Sequence, residues 1–528
     1  HDPEVQAYIR LVTMDVEFVE QLQLSKRQGF IHPDRINHWP QVDPLESIAG
    51  AHPIDDVTVL LRDPVQVVES AQGQISLIIE KDPVHLTGRF YGLVQIQAAM
   101  GNDRFRVRHY NSSSQQFDGP EEVIYIPSVL PNRDDIYQSS NRQIERSPLN
   151  AEGWYIFGAL NQTGEFVVQA IAPFHLFDLK ADWVITGQNN CLNYINHEYW
   201  KDAAHQKGQV TTALLLPQAA GAKAPVPTLQ DVWQEGDRAL VMEVYGGIGG
   251  NKKEFAPGNI YFGHFAFGMA RVLREPLTNQ LRFDLECRQI FTHSPEAVIA
   301  GSNHWTRFMG DRQYGRVGFR PVADVVIKFP PFTEDYDFDG ITFSPMDRLI
   351  RELDVMGARY RIGDGTGTTS VTPVNSCVQD STQALLTALN RLVAEFRLNP
   401  LMLKWLRDHP DHEQTQRFLL LQDLLKSLEA NLQPLGFTRP DWRSGELTLG
   451  QFAGETPGKT VVNALTSWRS LLPRLANDVI TMIFLQLGAT VWVIRANQIG
   501  GDDPDIEPIA PTDFEFRVPK IKRAKRSS

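Results

Sequence analysis

Cysteine is scarce in this chain. Cys191, Cys287 and Cys377 are the only three in 528 residues, and they lie far apart with no Cys-x-x-Cys pair. That pattern argues against a disulfide framework or a zinc knuckle and leaves at least one thiol free. Net basic charge is missing too. A formal charge of −12 argues against a dedicated nucleic-acid binder, which would carry a basic face. Long apolar runs are also absent. The longest, Val479 to Ile494, is interrupted by Gln486 and falls short of the roughly 20 residues a spanning helix needs. A buried core helix is expected there, and no transmembrane helix. No signal peptide stands in the numbered chain, which opens on His1. A leader removed before that point would favour an extracytoplasmic compartment, periplasm or lumen; otherwise the cytoplasm is expected.

Several motifs are present only in broken form. Gly454-Glu-Thr-Pro-Gly458-Lys459-Thr460 is one residue short of a phosphate-binding loop. Gly246-Gly-Ile-Gly-Gly250 is followed by Asn251-Lys-Lys-Glu254 and Pro257 rather than by a dinucleotide-binding helix. His409 and His412 flank Pro410, which breaks the helix that would align them on a metal. The carboxylates Glu334, Asp335, Asp337 and Asp339 lack the full calcium-loop pattern, and no serine-hydrolase elbow occurs. No cofactor and no metal are therefore expected.

What is present reads as an α+β protein. The length suits two to four domains. Val5, Ile9, Val12, Val16 and Val19 recur at helical spacing, so residues 1–50 are read as a helical segment ended by Pro33 and Pro40. Residues 51–180 carry short β-rich runs, from Val57–Leu61 and Ile75–Ile79 to Phe166–Ile171, separated by turn residues. They suggest small barrels of the SH3-like or OB-like kind. Residues 209 to 233, rich in Ala and Pro, read as an exposed connector. Residues 401–528 read as helical, with Val461 to Asn497 as one helix. They end in a basic tail, Lys520 to Arg526, expected to be solvated or to touch a membrane surface peripherally.

The strongest local signal is Thr372-Pro-Val-Asn-Ser-Cys377-Val-Gln-Asp380. Asn375 or Ser376 suits a helix N-cap, and Asp380 suits the first turn. Cys377 then meets unpaired N–H groups and partial positive charge, which favour thiolate and can stabilise an oxyanion. A nucleophilic cysteine needs a histidine base. His264 lies in a strand that returns, after a turn between Thr278 and Asn279, as Leu281 to His293. With opposite residues summing to 557, His264 faces His293.

A helix N-terminal Cys, a strand His and a polar group on the neighbouring strand resemble a papain-like site. Here they come in the order His, polar, Cys. Residues 238–396 are therefore similar to a circularly permuted papain-like domain of the NlpC/P60 type, with Thr292-His293-Ser-Pro295 similar to that family's His-small-Pro stretch. A second resemblance rests on Phe262-Gly-His-Phe-Ala-Phe-Gly268, Gly363-Asp-Gly-Thr-Gly367, Asn375-Ser-Cys-Val-Gln-Asp-Ser381 and Gly500-Gly-Asp-Asp-Pro-Asp-Ile506. These are similar to a cyanobacterial family labelled "Abi (CAAX) family protease". The chain lacks that chemistry's Glu-Glu-x-x-x-Arg motif, so this resemblance implies lineage rather than mechanism.

Together the resemblances imply a catalytic domain over residues 181–400. Its activity would be that of a cysteine hydrolase or acyltransferase on amide or ester bonds of a peptide or acyl substrate. Cys377 is the expected nucleophile, His264 the base and His293 the orienting group. Asp284 or Gln289 stand as substitutes, and these two with Asn375 are the expected substrate contacts. The alternative is a catalytically silent scaffold of the same fold that binds a partner.

Overall fold

A computed structural model of the chain describes residues 90–129, 139–218, 232–248, 263–290, 301–308, 323–361, 377–432 and 472–506, with short segments before residue 90 and near residue 509. The strands before the barrel are β1 Val5–Arg10, β2 Asp15–Phe18, β3 Asp56–Leu61, β4 Gln66–Glu69, β5 Ile75–Ile79 and β6 Val84–Leu86. Five more, β7 Phe90–Gly101, β8 Arg104–His109, β9 Glu121–Tyr125, β10 Trp154–Leu160 and β11 Phe166–Pro173, close into a small barrel. Then follow β12 Trp183–Thr186, β13 Gln209–Leu216, β14 Arg238–Tyr245, β15 Gly247–Ile248, β16 His264–Arg274, β17 Leu281–Gln289, β18 Gly301–His304 and β19 Ala323–Lys328. The last are β20 Tyr336–Phe338, β21 Ile341–Phe343, β22 Thr490–Asn497 and β23 Ile509–Ala510. The α-helices are α1 Gln188–Asn193, α2 Trp305–Phe308, α3 Pro330–Thr333, α4 Pro345–Arg361, α5 Cys377–Leu398, α6 Pro400–Asp408, α7 Glu413–Leu432 and α8 Pro473–Gln486. The protein is α+β.

An eleven-stranded sheet in the order β1-β3-β6-β18-β17-β16-β14-β19-β22-β13-β12 is the centre of the molecule. Its two faces bury different layers. Leu240, Met242, Phe265, Phe267, Val325 and Val493 point into a core shared with α4, α5, α7 and α8. Their strand neighbours Val241, Ala270, Phe283, Leu285, Val326 and Trp492 point into a second core shared with the barrel residues Val94, Val107, Ile124, Trp154 and Ile171. Strands buried on both faces read as near-continuous apolar runs, as in Ala239-Leu-Val-Met242 and Val491-Trp-Val-Ile494.

Helix boundaries follow from local chemistry. Asn399 Oδ1 accepts the Leu401 and Met402 backbone N–H groups and Pro400 opens α6, a cap that satisfies two orphan donors. Phe396 of α5 stacks on Phe418 of α7 at 3.9 Å between centroids, which fixes those helices against each other.

Four expectations are corrected. The helical reading of the first residues fails, because β1 pairs with β3 from Val5↔Leu61 to Arg10↔Asp56. Val5, Ala7 and Ile9 also satisfy a period of two, and β-branched residues favour that choice when a partner edge exists. The connector read over 209–233 begins too early, since Gln209–Leu216 is an inner strand between β12 and β22. The proposed helix through Val479–Ile494 ends at Gln486 and resumes as β22. Gly488 turns the chain there at φ +93, and Val491, Val493 and Ile494 then prefer a pleated surface. Barrel and strands also divide differently, with a single closed barrel among the described residues while β3 joins the large sheet and β5 a three-stranded one. The large sheet thus takes strands from 1–50, 51–180, 181–400 and 401–528 alike. No described helix is long and apolar enough to cross a membrane.

Gly488→Ala places a side chain in a left-handed conformation, which costs about 1–3 kcal/mol. Its expected outcome is a lower urea midpoint for unfolding with an unchanged far-ultraviolet circular dichroism spectrum. An unchanged midpoint would show that this turn is not what ends α8.

Candidate functional site

Helix α5 begins at Cys377 and packs against β16 with the thiol beside the backbone of Phe265. The cysteine-bearing helix therefore crosses the strand that carries His264, one residue away from it. Side chains of successive strand residues point to opposite faces. Phe265, Phe267 and Met269 enter the helix-side core that also holds Cys377, whereas Ala270 and Val272, in phase with His264, enter the barrel-side core. By that alternation His264 belongs to the face away from Cys377.

The electrostatics agree with this separation. Burial pushes the Cys377 thiol up to about 11, against the opposing pull of the Phe265 backbone and of the first-turn N–H at Val378, and Asp380 raises it further. The helix N-terminus is present as expected, but desolvation outweighs it. Burial pushes His264 down to about 4, with a hydrogen bond to Gln289 acting in the other direction. The imidazole is held neutral, its Nε2 bonded to Gln289 Oε1 and its ring 5.4 Å from that of Tyr245.

The hairpin register differs from the expected one. Phe267 pairs with Arg288 and Arg274 with Leu281, two residues away from the pairing that set His264 opposite His293. The loop explains the shift. The Glu275 N–H donates to the Gln280 carbonyl, and the buried Glu275 carboxylate accepts the Thr278 N–H at 2.6 Å. Asn279 adopts φ 57, so the turn spans Pro276 to Asn279. Gln289, one residue beyond Arg288, comes diagonally beside His264. Of the expected polar partners, Gln289 is the one found there.

Asp284 is not. It pairs across from Arg271, on the helix-facing side, where its Oδ1 meets His304 Nε2 at 2.9 Å and Arg282 Nη1 at 3.4 Å. His293 and Asn375 lie outside the described residues, as do Gly454 to Thr460, Gly363 to Gly367 and the basic tail.

One group of residues escaped sequence reasoning. Glu243 stands directly across from Asp324 on β19, and the Tyr245 hydroxyl donates to Glu243 Oε2 at 2.6 Å. Cys287 also bonds the Glu243 carboxylate, and burial pushes both groups up. With His264 and Gln289 they form a polar row on the barrel-side face, among apolar residues such as Val241, Ala270 and Leu285. A signal existed in the lone polar residues of Leu240-Val-Met-Glu243-Val-Tyr245 and Ala323-Asp324-Val-Val-Ile327, but only strand order shows that they meet.

No protein-family model, curated protein or solved structure matches this chain.

His264 is expected to stay neutral at pH 5.5 and titrate near pH 4. An unfolded histidine takes up its proton near 6.5, so the unfolded state binds more protons between those values. Stability then falls as pH drops through that window, by up to about 1.4 kcal/mol per pH unit. Urea unfolding at pH 7.5 and 5.0 checks this, with His264→Gln showing the smaller loss. An equal loss in both proteins would remove His264 from the account.

Proposed function

We propose that this chain is a non-catalytic binding scaffold, in which the parts that resemble a permuted papain-like domain serve packing rather than thiol chemistry. The observation that carries this reading is the placement of Cys377, buried against Phe265 with its thiol pushed up to about 11. A nucleophile needs the thiolate, and activated cysteines sit in electropositive, partly exposed surroundings. The hydrolase reading needs the sulfur and an imidazole within hydrogen-bond reach, and strand alternation at β16 weighs against His264 in that role. The five-stranded barrel is consistent with an SH3-like module, and the resemblance to the cyanobacterial "Abi (CAAX)" family supplies a lineage for the whole.

The surface best suited to a partner is an open groove of about 610 Å³, lined by Asp335, Tyr336, Asp337, Asp347, Glu413 and Arg417 among others. Arg238 bridges Asp335 and Asp347 at one edge, and Arg417 stacks on Tyr336 at 4.6 Å. Carboxylates outnumber cations along it, so a peptide segment carrying Lys or Arg is the chemistry it fits.

Native Cys377 is expected to react with iodoacetamide at pH 8 at least tenfold more slowly than after denaturation in urea, as mapped by mass spectrometry. Rapid labelling of native Cys377 at neutral pH, abolished together with an amidase or esterase activity in Cys377→Ala, would overturn the scaffold reading. For the groove, a fluorescent Arg-rich peptide should bind more weakly to Asp337→Asn/Glu413→Gln protein, and a Glu-rich peptide should not bind. Equal affinity for both peptides would discard the groove.

A further inference from the structure

We propose that Glu152, His175 and Asp178 form a divalent-cation site, suited to zinc, at the seam where the barrel passes into the large sheet. Glu152 follows the turn Pro148–Ala151 that leads into β10, and His175 lies in the turn Phe174–Leu176 that leaves β11. One ligand atom from each of Glu152, His175 and Asp178 lies within 4.8 Å of the other two. His175 Nδ1 is 3.3 Å from Asp178 Oδ2 and 3.7 Å from Glu152 Oε2. Ligands held about 2.1 Å from one ion in a tetrahedral set lie about 3.4 Å apart, so these separations bracket the edge of such a set. One imidazole and two carboxylates suit a borderline cation such as zinc, and leave room for water as a fourth ligand.

The reverse side of the ring faces a further carboxylate, just beyond hydrogen-bond distance. His175 Nε2 faces Asp182 Oδ2 at 3.6 Å, and that carboxylate is anchored by the Thr212 N–H at 2.7 Å. A carboxylate behind the second nitrogen fixes tautomer and ring orientation and raises ligand basicity. Asp178 uses its other oxygen to accept the Lys180 N–H at 3.4 Å, leaving Oδ2 turned to the imidazole. Lys180 Nζ lies 3.8 Å from Glu152 Oε1 at the edge of the group. In the site His175 Nδ1 would donate its lone pair to the cation, beside one oxygen each of Asp178 and Glu152. Thr212 belongs to β13, so the ion would also link the barrel's end to the large sheet.

The test titrates zinc chloride into the full chain, stripped with EDTA, against a chromophoric chelator. One equivalent is expected to bind, with His175→Gln and Asp178→Asn each at least 100-fold weaker. The positioning variant Asp182→Asn should lose 10- to 100-fold. Affinity should weaken as pH falls, because the imidazole must be deprotonated to bind the ion. Cobalt in place of zinc should give the strong visible bands of four-coordination. His205→Gln, on an exposed turn, should change nothing. If circular dichroism shows that the His175 or Asp178 variants unfold, Glu152→Gln at the exposed rim carries the test. No stoichiometric binding by the folded parent protein, or binding unaltered in the folded variants, would overturn the site.

Discussion

A sheet buried on both faces obliges every side chain of its inner strands to enter one of two interiors. In this molecule those interiors are unlike. Four long helices cover one face and a small barrel covers the other, and the inner strands β13, β14, β16, β19 and β22 send alternate residues to the two. Strand alternation is therefore the constraint on which the rest depends. It sends Phe265 to the helices and His264 away from them, and with that it decides what chemistry the pair of conspicuous residues can share.

Burial on both faces also explains the direction in which titratable groups move. The interior disfavours charge, so acids and thiols rise while imidazoles fall. Glu243, Tyr245, Cys287 and Cys377 are all pushed up, and His264 is pushed down. The polar row around Glu243 is thus held together by hydrogen bonds from hydroxyl and thiol rather than by ion pairs. Such a row adds little net stability compared with apolar packing, but a register slip would leave its members without their partners. The helix-facing side differs. There Arg288 meets Glu286 at 3.1 Å and Asp354 of α4 at 3.5 Å, so charge is neutralised by pairing and α4 is fixed over β17 and β18.

The seam between barrel and sheet follows different physics. His175 is partly buried between the exposed Glu152 and the buried Asp178, so its charge is favoured by paired carboxylates rather than by solvent alone. A histidine raised by neighbouring carboxylates and one lowered by burial therefore coexist in the same chain. His264 is set by what its strand delivers it to, and His175 chiefly by Asp178 three residues further on.

Much of this was legible from residues alone. The runs that became β14, β16, β17 and β19, and helices α4 to α7, follow from apolar periodicity, and the start of α5 at Cys377 follows from capping chemistry. Those features are set by local forces acting within one or two turns of chain. The first strand, the end of α8 at Gly488 and the two-residue shift of the hairpin were not legible in the same way. Val5 to Ile9 satisfies two periods and needed β3 to choose between them, while the hairpin register depended on the Glu275 carboxylate folding back on its own loop. The candidate site divides along the same line. The large residues at Phe265, Phe267 and Met269 and the small ones at Ala266, Gly268 and Ala270 already mark two faces of one strand, with His264 in phase with the small set. The sequence by itself determined that alternation. Only the tertiary structure decided that α5 would lie on the large-residue face, because the choice of covering layer is made by burial between elements more than a hundred residues apart.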